Sequence, residues 1–228
     1  RVGFGLLYVT LSTAVWILGL GMIGSAMFQR SLSDYLPYVA FGIISWQILA
    51  NAIVSAAQTY ITSSGLALNT NVPKASFAMS HMLTASAATL YRLPAIIVVL
   101  FFSEHVNIAT VAVSFFGLVA MLIFGFGLSL ALGPLCARFR DLRELIEVSL
   151  QLLFFASATF WHPETLGEWA YLIEFNPLFH FLQVVRAPAI GVDFLSLGVV
   201  TGMIMATIAA GIAIFSFTYR RLVFWISS

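Results

Sequence analysis

Apolar residues run along this chain in long, nearly unbroken blocks separated by short polar stretches. That is the pattern of helices surrounded by lipid, because a helix on a soluble core would show one apolar stripe and one polar face. About 20 consecutive apolar residues carry a helix across the hydrocarbon, where the backbone must satisfy its own hydrogen bonds. Six segments qualify, from Gly3 to Phe28, Tyr38 to Thr62, His81 to Phe102, Ala109 to Leu135, Leu145 to Trp161 and Phe194 to Thr218. The expected fold is an all-α integral membrane protein, with residues 1–228 as one transmembrane domain.

The links differ in kind. Gln29 to Pro37 and Ser103 to Ile108 are short turns that make antiparallel neighbours, while Ser63 to Ser80 and His162 to Asp193 are longer. In the second link the pattern predicts a turn followed by a short helix, with Asn71 as cap and Pro73 in the first helical turn, where a missing N–H is harmless. Such a helix either docks a soluble partner or is a plain connection. In the fourth, Asp141 with Glu144 reads as a capping box that opens the fifth span.

The last link is rich in apolar residues but interrupted by Pro163, Asn176-Pro177 and Pro188, so it cannot cross as one helix. Thr165 with Glu168 reads as a capping box for a first short helix, and Asn176 with Pro177 stops it and starts a second. Leu178, Phe181, Leu182 and Val185 share a face of that second helix, so two short amphipathic helices should re-enter or lie in the outer interface. They serve either as a gate or as an interfacial anchor.

Composition agrees, since the chain is 61% hydrophobic and only 8% charged, against about 25% charged in soluble proteins. The placement of charge then sets orientation. Arg1, Lys74, Arg138, Arg140, Arg143, Arg220 and Arg221 gather on one side, leaving Arg30 and Arg186 on the other, so both termini should face the cytoplasm. The arginines of Ala137-Arg138-Phe139-Arg140-Asp141 either anchor that face or hold anionic groups. Arg92 falls inside the third span, where an arginine costs about 2.5 to 3.5 kcal/mol. It either snorkels, with Pro94 freeing a carbonyl near Leu90, or faces a pathway and binds phosphate.

Small residues recur every fourth position in Gly125, Ser129 and Gly133 and in Gly202, Ala206 and Ala210, as packing ladders or a dimer face. The lone Cys136 offers neither disulfide nor metal cluster. No secretory signal is visible, and a chain opening on Arg1 is expected to begin inside a longer sequence.

Several chemistries are missing. With one lysine, Lys74, behind Pro73, no G-x-x-x-x-G-K-[ST] phosphate loop exists and any motor lies elsewhere. The histidines His81, His105, His162 and His180 are scattered, no H-E-x-x-H occurs, and the spans hold no paired carboxylates. This argues against a membrane hydrolase, a metal-dependent sugar transferase or a proton-coupled carrier.

The segment Asn176-Pro177-Leu178-Phe179-His180-Phe181-Leu182-Gln183-Val184-Val185-Arg186-Ala187-Pro188 resembles the signature near the end of polysaccharide exporter permeases, and Ala137 to Asp141 looks like their second landmark. These are the membrane subunits of ATP-binding-cassette exporters for O-antigen, capsule and teichoic acid. The resemblance implies a single permease domain without catalytic residues or cofactor, a homodimer joined to two ATPase subunits that bind Mg-ATP, and a channel for an undecaprenyl-type lipid-linked glycan. It implies a bacterial inner-membrane location and a role in lipopolysaccharide biosynthesis, with membrane lipids and no nucleic acid as other partners. Asn71, Pro73, Lys74, Phe77 and His81 would couple to the ATPase, and Asn176, Pro177, His180 and Arg186 would form the outer gate. Arg138, Arg140 and Asp141 mark the cytoplasmic surface. Arg92, Trp16, Trp46 and Tyr60 are the pathway candidates, although belts and packing also account for such aromatics. Family members begin with an amphipathic interfacial helix that is missing before Gly3. The rival readings are a permease for a small amphiphile or drug, and a scaffold or enzyme of glycan synthesis.

Overall fold

In the computed structural model, which describes residues 2–69, 72–95, 108–191 and 196–227, every regular element is helical. The helices are α1 (Val2–Met27), α2 (Leu32–Thr62), α3 (Ser64–Asn69), α4 (Ala75–Leu90), α5 (Ile108–Arg138), α6 (Asp141–Ala156), α7 (Pro177–Ile190) and α8 (Leu197–Ser227), with a 3₁₀ helix at Pro163–Phe175 between α6 and α7. Among the described residues four stretches are long and apolar enough to cross a membrane: Tyr8–Met27, Leu32–Thr62, Val111–Arg138 and Leu197–Leu222. The chain is a multi-pass membrane protein.

The other two expected spans come out differently. The helix expected from His81 begins at Ala75 and stops at Leu90, and the stretch from residue 96 to Phe102 lies outside the described residues. Pro94 lacks the N–H that would bond the Leu90 carbonyl, which is why the helix breaks there. The helix expected to reach Trp161 ends at Ala156. At 16 residues α6 is about 24 Å long, short of the roughly 30 Å hydrocarbon core.

Proline misplaced other boundaries too. Helix α2 begins at Leu32, not Tyr38, and carries Pro37 inside it. The carbonyl that Pro37 leaves unbonded belongs to Ser33, which is exposed, so the break is harmless. Ser31 caps this end, its Oγ accepting from the Asp34 N–H at 3.3 Å. Helix α7 runs through Pro188 and stops only at Gly191, whose φ of 71° is the left-handed conformation that closes helices. Helix α8 extends to Ser227, past the expected Thr218, while Phe194 is outside the described residues.

The chain divides into two compact units. One comprises Arg1–Ile48, Ala88–Val119 and Leu153–Val200, and the other Leu49–Ala87, Ala120–Leu152 and Thr201–Ser228. In the first, α2 and α7 supply the core, with Tyr38, Phe41, Ile44, Phe181, Leu182 and Val185 all at most 3% exposed. In the second, Tyr60 sits among Phe77, Ala137 and Leu222, and its ring stacks on Phe215.

The two small-residue ladders have opposite fates. Gly125 lies against Ala52 and Gly133 against the Tyr60 ring, so the first ladder packs within the chain. Gly202, Ala206 and Ala210 are exposed, and the close helix contact on α8 is made by Gly211 against the Gly127 carbonyl. The close approach on α2 is at Gly42, where an added Cβ would stand 1.9 Å from the Thr159 carbonyl oxygen.

Gly42→Ala is therefore expected to destabilise the protein by about 1–3 kcal/mol, since backbone must move. Gly202→Ala, with nothing within 4 Å, should be neutral or stabilising. Thermal unfolding of the two purified variants in detergent checks the contrast.

Candidate functional site

A helix that stops leaves its last carbonyls without partners, and a helix that stops among apolar side chains has no water to take them. Helix α6 does this at Ala156, where Ser157, Ala158 and Thr159 are fully buried without helical structure and Ala158 has a φ of 47°. Side chains answer almost every exposed acceptor. Thr159 Oγ1 donates to the Phe154 carbonyl at 3.0 Å, Trp161 Nε1 to Phe155 at 2.8 Å, and Asn176 Nδ2 to Ala156 at 2.9 Å. The Ala158 carbonyl accepts from Arg186 Nη1 at 2.8 Å and from Tyr38 Oη at 3.2 Å. Tyr38 Oη also reaches the Trp161 carbonyl at 2.8 Å, and Tyr35 Oη donates to that of Phe160.

Apart from Thr159 and Trp161, which belong to the segment itself, the donors come from two elements. Tyr35, Tyr38 and Gly42 recur at i, i+3 and i+7 and so share one face of α2, with Gly42 giving the Thr159 carbonyl room. Asn176 and Arg186 belong to the other end of the segment. Asn176 caps α7, its side chain accepting from the Leu178 N–H at 3.0 Å, and Pro177 fills the first position. Both do as the sequence predicts.

Arg186 is 0% exposed and always charged. Its Nε and Nη2 donate to Gln183 Oε1 at 3.1 and 3.0 Å, and its guanidinium carbon lies 3.9 Å from the Tyr38 ring centre. The His162 ring stacks on the same Tyr38 ring with centroids 3.7 Å apart. Two groups at those distances cannot share a face, so the Tyr38 ring lies between cation and imidazole. Burial and the charges of Arg30 and Arg186 push the His162 pKa down to about 4, against the opposing pull of Glu164. His180 is the second clasp. The Glu174 carbonyl can only accept, so Nε2 donates to it at 2.7 Å, and Nδ1 is hydrogen-bonded with Ser196 Oγ at 2.8 Å.

The two predicted short helices therefore differ from one another. Thr165 does not cap: its hydroxyl turns back to the His162 carbonyl at 2.7 Å, the 3₁₀ helix starts at Pro163, and Gly167 kinks it. This helix exposes Trp169, Tyr171 and Phe175, amphipathic rings of the kind that favour a membrane interface. Helix α7 is not amphipathic, since Leu178 to Leu182 and Val184 to Ala189 are buried on all sides. Arg30, placed by charge beside the last link, pairs with Glu164 at 3.1 Å.

The remaining candidates are scattered. Arg92 is not inside a helix but in the turn after α4, half-buried, donating to the Ala88 carbonyl at 3.0 Å and to Gln47 Oε1 at 3.4 Å. Thr13 donates to that same Gln47 oxygen at 2.9 Å. Trp16 is exposed, whereas Trp46 is buried edge-on to Phe154 and Tyr60 is fully buried, its hydroxyl on the Lys74 carbonyl at 3.2 Å. The expected short helix behind Pro73 does not form. Helix α3 precedes it, Pro73 and Lys74 lead into α4, and Phe77 belongs to α4 itself. Asn71 lies outside the described residues. His81 Nε2 sits 3.2 Å from Thr62 Oγ1. Arg138 ends α5, Arg140 lies in the turn that follows, and Asp141 opens α6 with Glu144 in its first turn, where negative charge favours the helix. Among the described residues no group of histidine, cysteine or carboxylate side chains fits a metal.

No protein-family model matches the chain. Among curated proteins it is similar to an O-antigen export system permease protein RfbA of Klebsiella pneumoniae, 21% identical over 225 residues that cover 93% of this chain and 84% of the relative. A second protein of that description and organism is 21% identical over 191 residues, covering 81% of this chain and 73% of the relative.

Two outcomes test the clasp. Arg186→Leu, which strips the Ala158 carbonyl of its shortest partner, should lower stability by about 1–3 kcal/mol, and Arg186→Lys should not restore it, because one ammonium cannot serve both Gln183 and Ala158. His162 is harder to protonate folded than at its ordinary 6.5, so the unfolded chain takes up the proton first and stability falls as pH drops from 6.5 toward about 4. Melting temperature in detergent between about pH 7 and about pH 4.5 should show that fall, and His162→Phe, which keeps the stack, should flatten it.

Proposed function

From its likeness over most of its length to two O-antigen export permeases, we propose that this chain is a permease of the polysaccharide ABC exporter kind, the membrane subunit of an ATP-driven exporter carrying a lipid-linked polysaccharide outward across a bacterial inner membrane. O-antigen is the cargo this reading favours. The observation that carries it is similarity along nearly the whole chain to proteins described as O-antigen export permeases. The missing phosphate loop fits a subunit whose motor is a separate ATPase. In this reading two copies of the chain pair with two ATPase subunits, cross the membrane six times each and keep both termini in the cytoplasm.

The parts divide accordingly. The turn at Pro73 and Lys74 would receive the ATPase, and Tyr60 would tie that turn to the body of the protein, since its hydroxyl holds the Lys74 carbonyl and its ring meets Phe77 and Phe215. This moves Tyr60 from the pathway to coupling. The clasped segment from Ser157 to His162, with α7, would be the outer gate. Trp16 and Arg92 remain the pathway candidates.

Co-purification with the ATPase encoded beside this chain, followed by ATP turnover with and without lipid-linked glycan in nanodiscs, is the test. A stable complex with glycan-stimulated turnover is expected. Stimulation by small amphiphiles alone would replace the cargo, and failure to form any complex would sink the exporter reading. In the same assay Tyr60→Phe should keep the complex and blunt stimulation, as it removes one hydrogen bond worth about 0.5–1.5 kcal/mol and leaves the ring stacking in place.

A further inference from the structure

In the second unit α2 stops at Thr62 and α5 at Arg138, and α8, whose Leu222 packs against Tyr60 and Ala137, carries Arg220 and Arg221 just before that residue. Where spanning helices end the hydrocarbon ends, and the next layer outward holds the headgroup phosphates of the lipids. At that level the unit has a pocket of about 140 Å³ lined by Tyr60, Ile61, Ser64, Ala137, Arg140 and Trp225. It combines a guanidinium, hydroxyls and an indole with an apolar floor, a mixture that suits a charged group attached to an acyl chain.

The neighbouring arginines are occupied. Arg143 pairs with Glu147 at 2.9 Å, and the Arg138 guanidinium lies over the Trp225 ring at 5.8 Å and the Phe139 ring at 5.6 Å. Arg140 is exposed, and among the described residues no carboxylate lies within ion-pair distance of it. Arg140 thus brings a guanidinium able to bind bidentately to the lining of a hollow of about 140 Å³.

We propose that this pocket binds the phosphate ester of an anionic membrane lipid, with Arg140 as its counter-ion and Trp225 flanking the headgroup. The proposal needs only that the chain spans a bilayer, and so stands whether or not the exporter reading does. Two lipids offer this chemistry: a bulk lipid such as phosphatidylglycerol, and a polyprenyl phosphate of the kind that carries glycans.

The test is native mass spectrometry of the full chain in detergent, titrated with phosphatidylglycerol and, separately, phosphatidylcholine. Phosphatidylglycerol should be retained preferentially, and Arg140→Gln should weaken that retention about fivefold, the worth of one arginine at a membrane surface. Arg220→Gln, on a basic residue outside the pocket lining, should leave it unchanged. Equal loss in both variants, or none in Arg140→Gln, overturns the proposal. Repeating the titration with undecaprenyl phosphate separates the sources, since tighter binding would assign the pocket to the polyprenyl carrier and equal binding to bulk lipid.

Discussion

Backbone carbonyls in an apolar setting must find donors, and in this protein that requirement is concentrated where α6 stops at Ala156. Six carbonyls between Phe154 and Trp161 are taken by side chains from Tyr35, Tyr38, Thr159, Trp161, Asn176 and Arg186. Non-helical backbone at membrane depth is viable only when protein buries and satisfies it. The first unit is arranged around that demand. Helix α2 brings the tyrosines and the glycine gap, and α7 must lie inside the protein to bring Arg186. That is why α7 is buried all round although its sequence reads as a surface helix.

Arg186 illustrates how a charge is kept in such a place. Its partners among the described residues are an amide oxygen, a backbone carbonyl and a phenol ring, none of them anionic. Each interaction is modest in water, but a guanidinium is weakly hydrated and planar, and a ring face plus a fork of acceptors uses its geometry fully. His162 on the far side of the same ring must then stay neutral, because a second cation there would face the first across one phenol.

What sequence reasoning could reach follows from the range of the forces involved. Long apolar runs and the Asn176-Pro177 cap are local: among the described residues four of the six expected spans are long apolar helices, and Asn176 caps α7. Proline is a weaker breaker here than its local chemistry suggests: Pro37 sits inside α2 because the carbonyl it leaves unbonded belongs to the exposed Ser33, and α7 runs through Pro188. Arg186 was counted as a surface charge, since nothing in its neighbourhood announces that Tyr38 and Ala158 arrive from distant parts of the chain. The i, i+3, i+7 spacing of Tyr35, Tyr38 and Gly42 is a sign in the sequence itself that this face of α2 meets something specific. Tyr60 is a pathway candidate by residue type alone, whereas its packing against Phe77, Gly133, Ala137, Phe215 and Leu222 and its bond to the Lys74 carbonyl make it a fixture of the interior.

The clasp is asymmetric in a way that bears on how such a chain can diverge. On one side the acceptors are main-chain carbonyls, which every residue carries; on the other the donors are particular side chains. Ala158 and Phe160 contribute only their carbonyls to the clasp and are free in chemistry, whereas Tyr38, Asn176 and Arg186 have no ready substitutes. Variation in this part of the protein should be one-sided, with drift in the held strand and fixity in the residues that hold it.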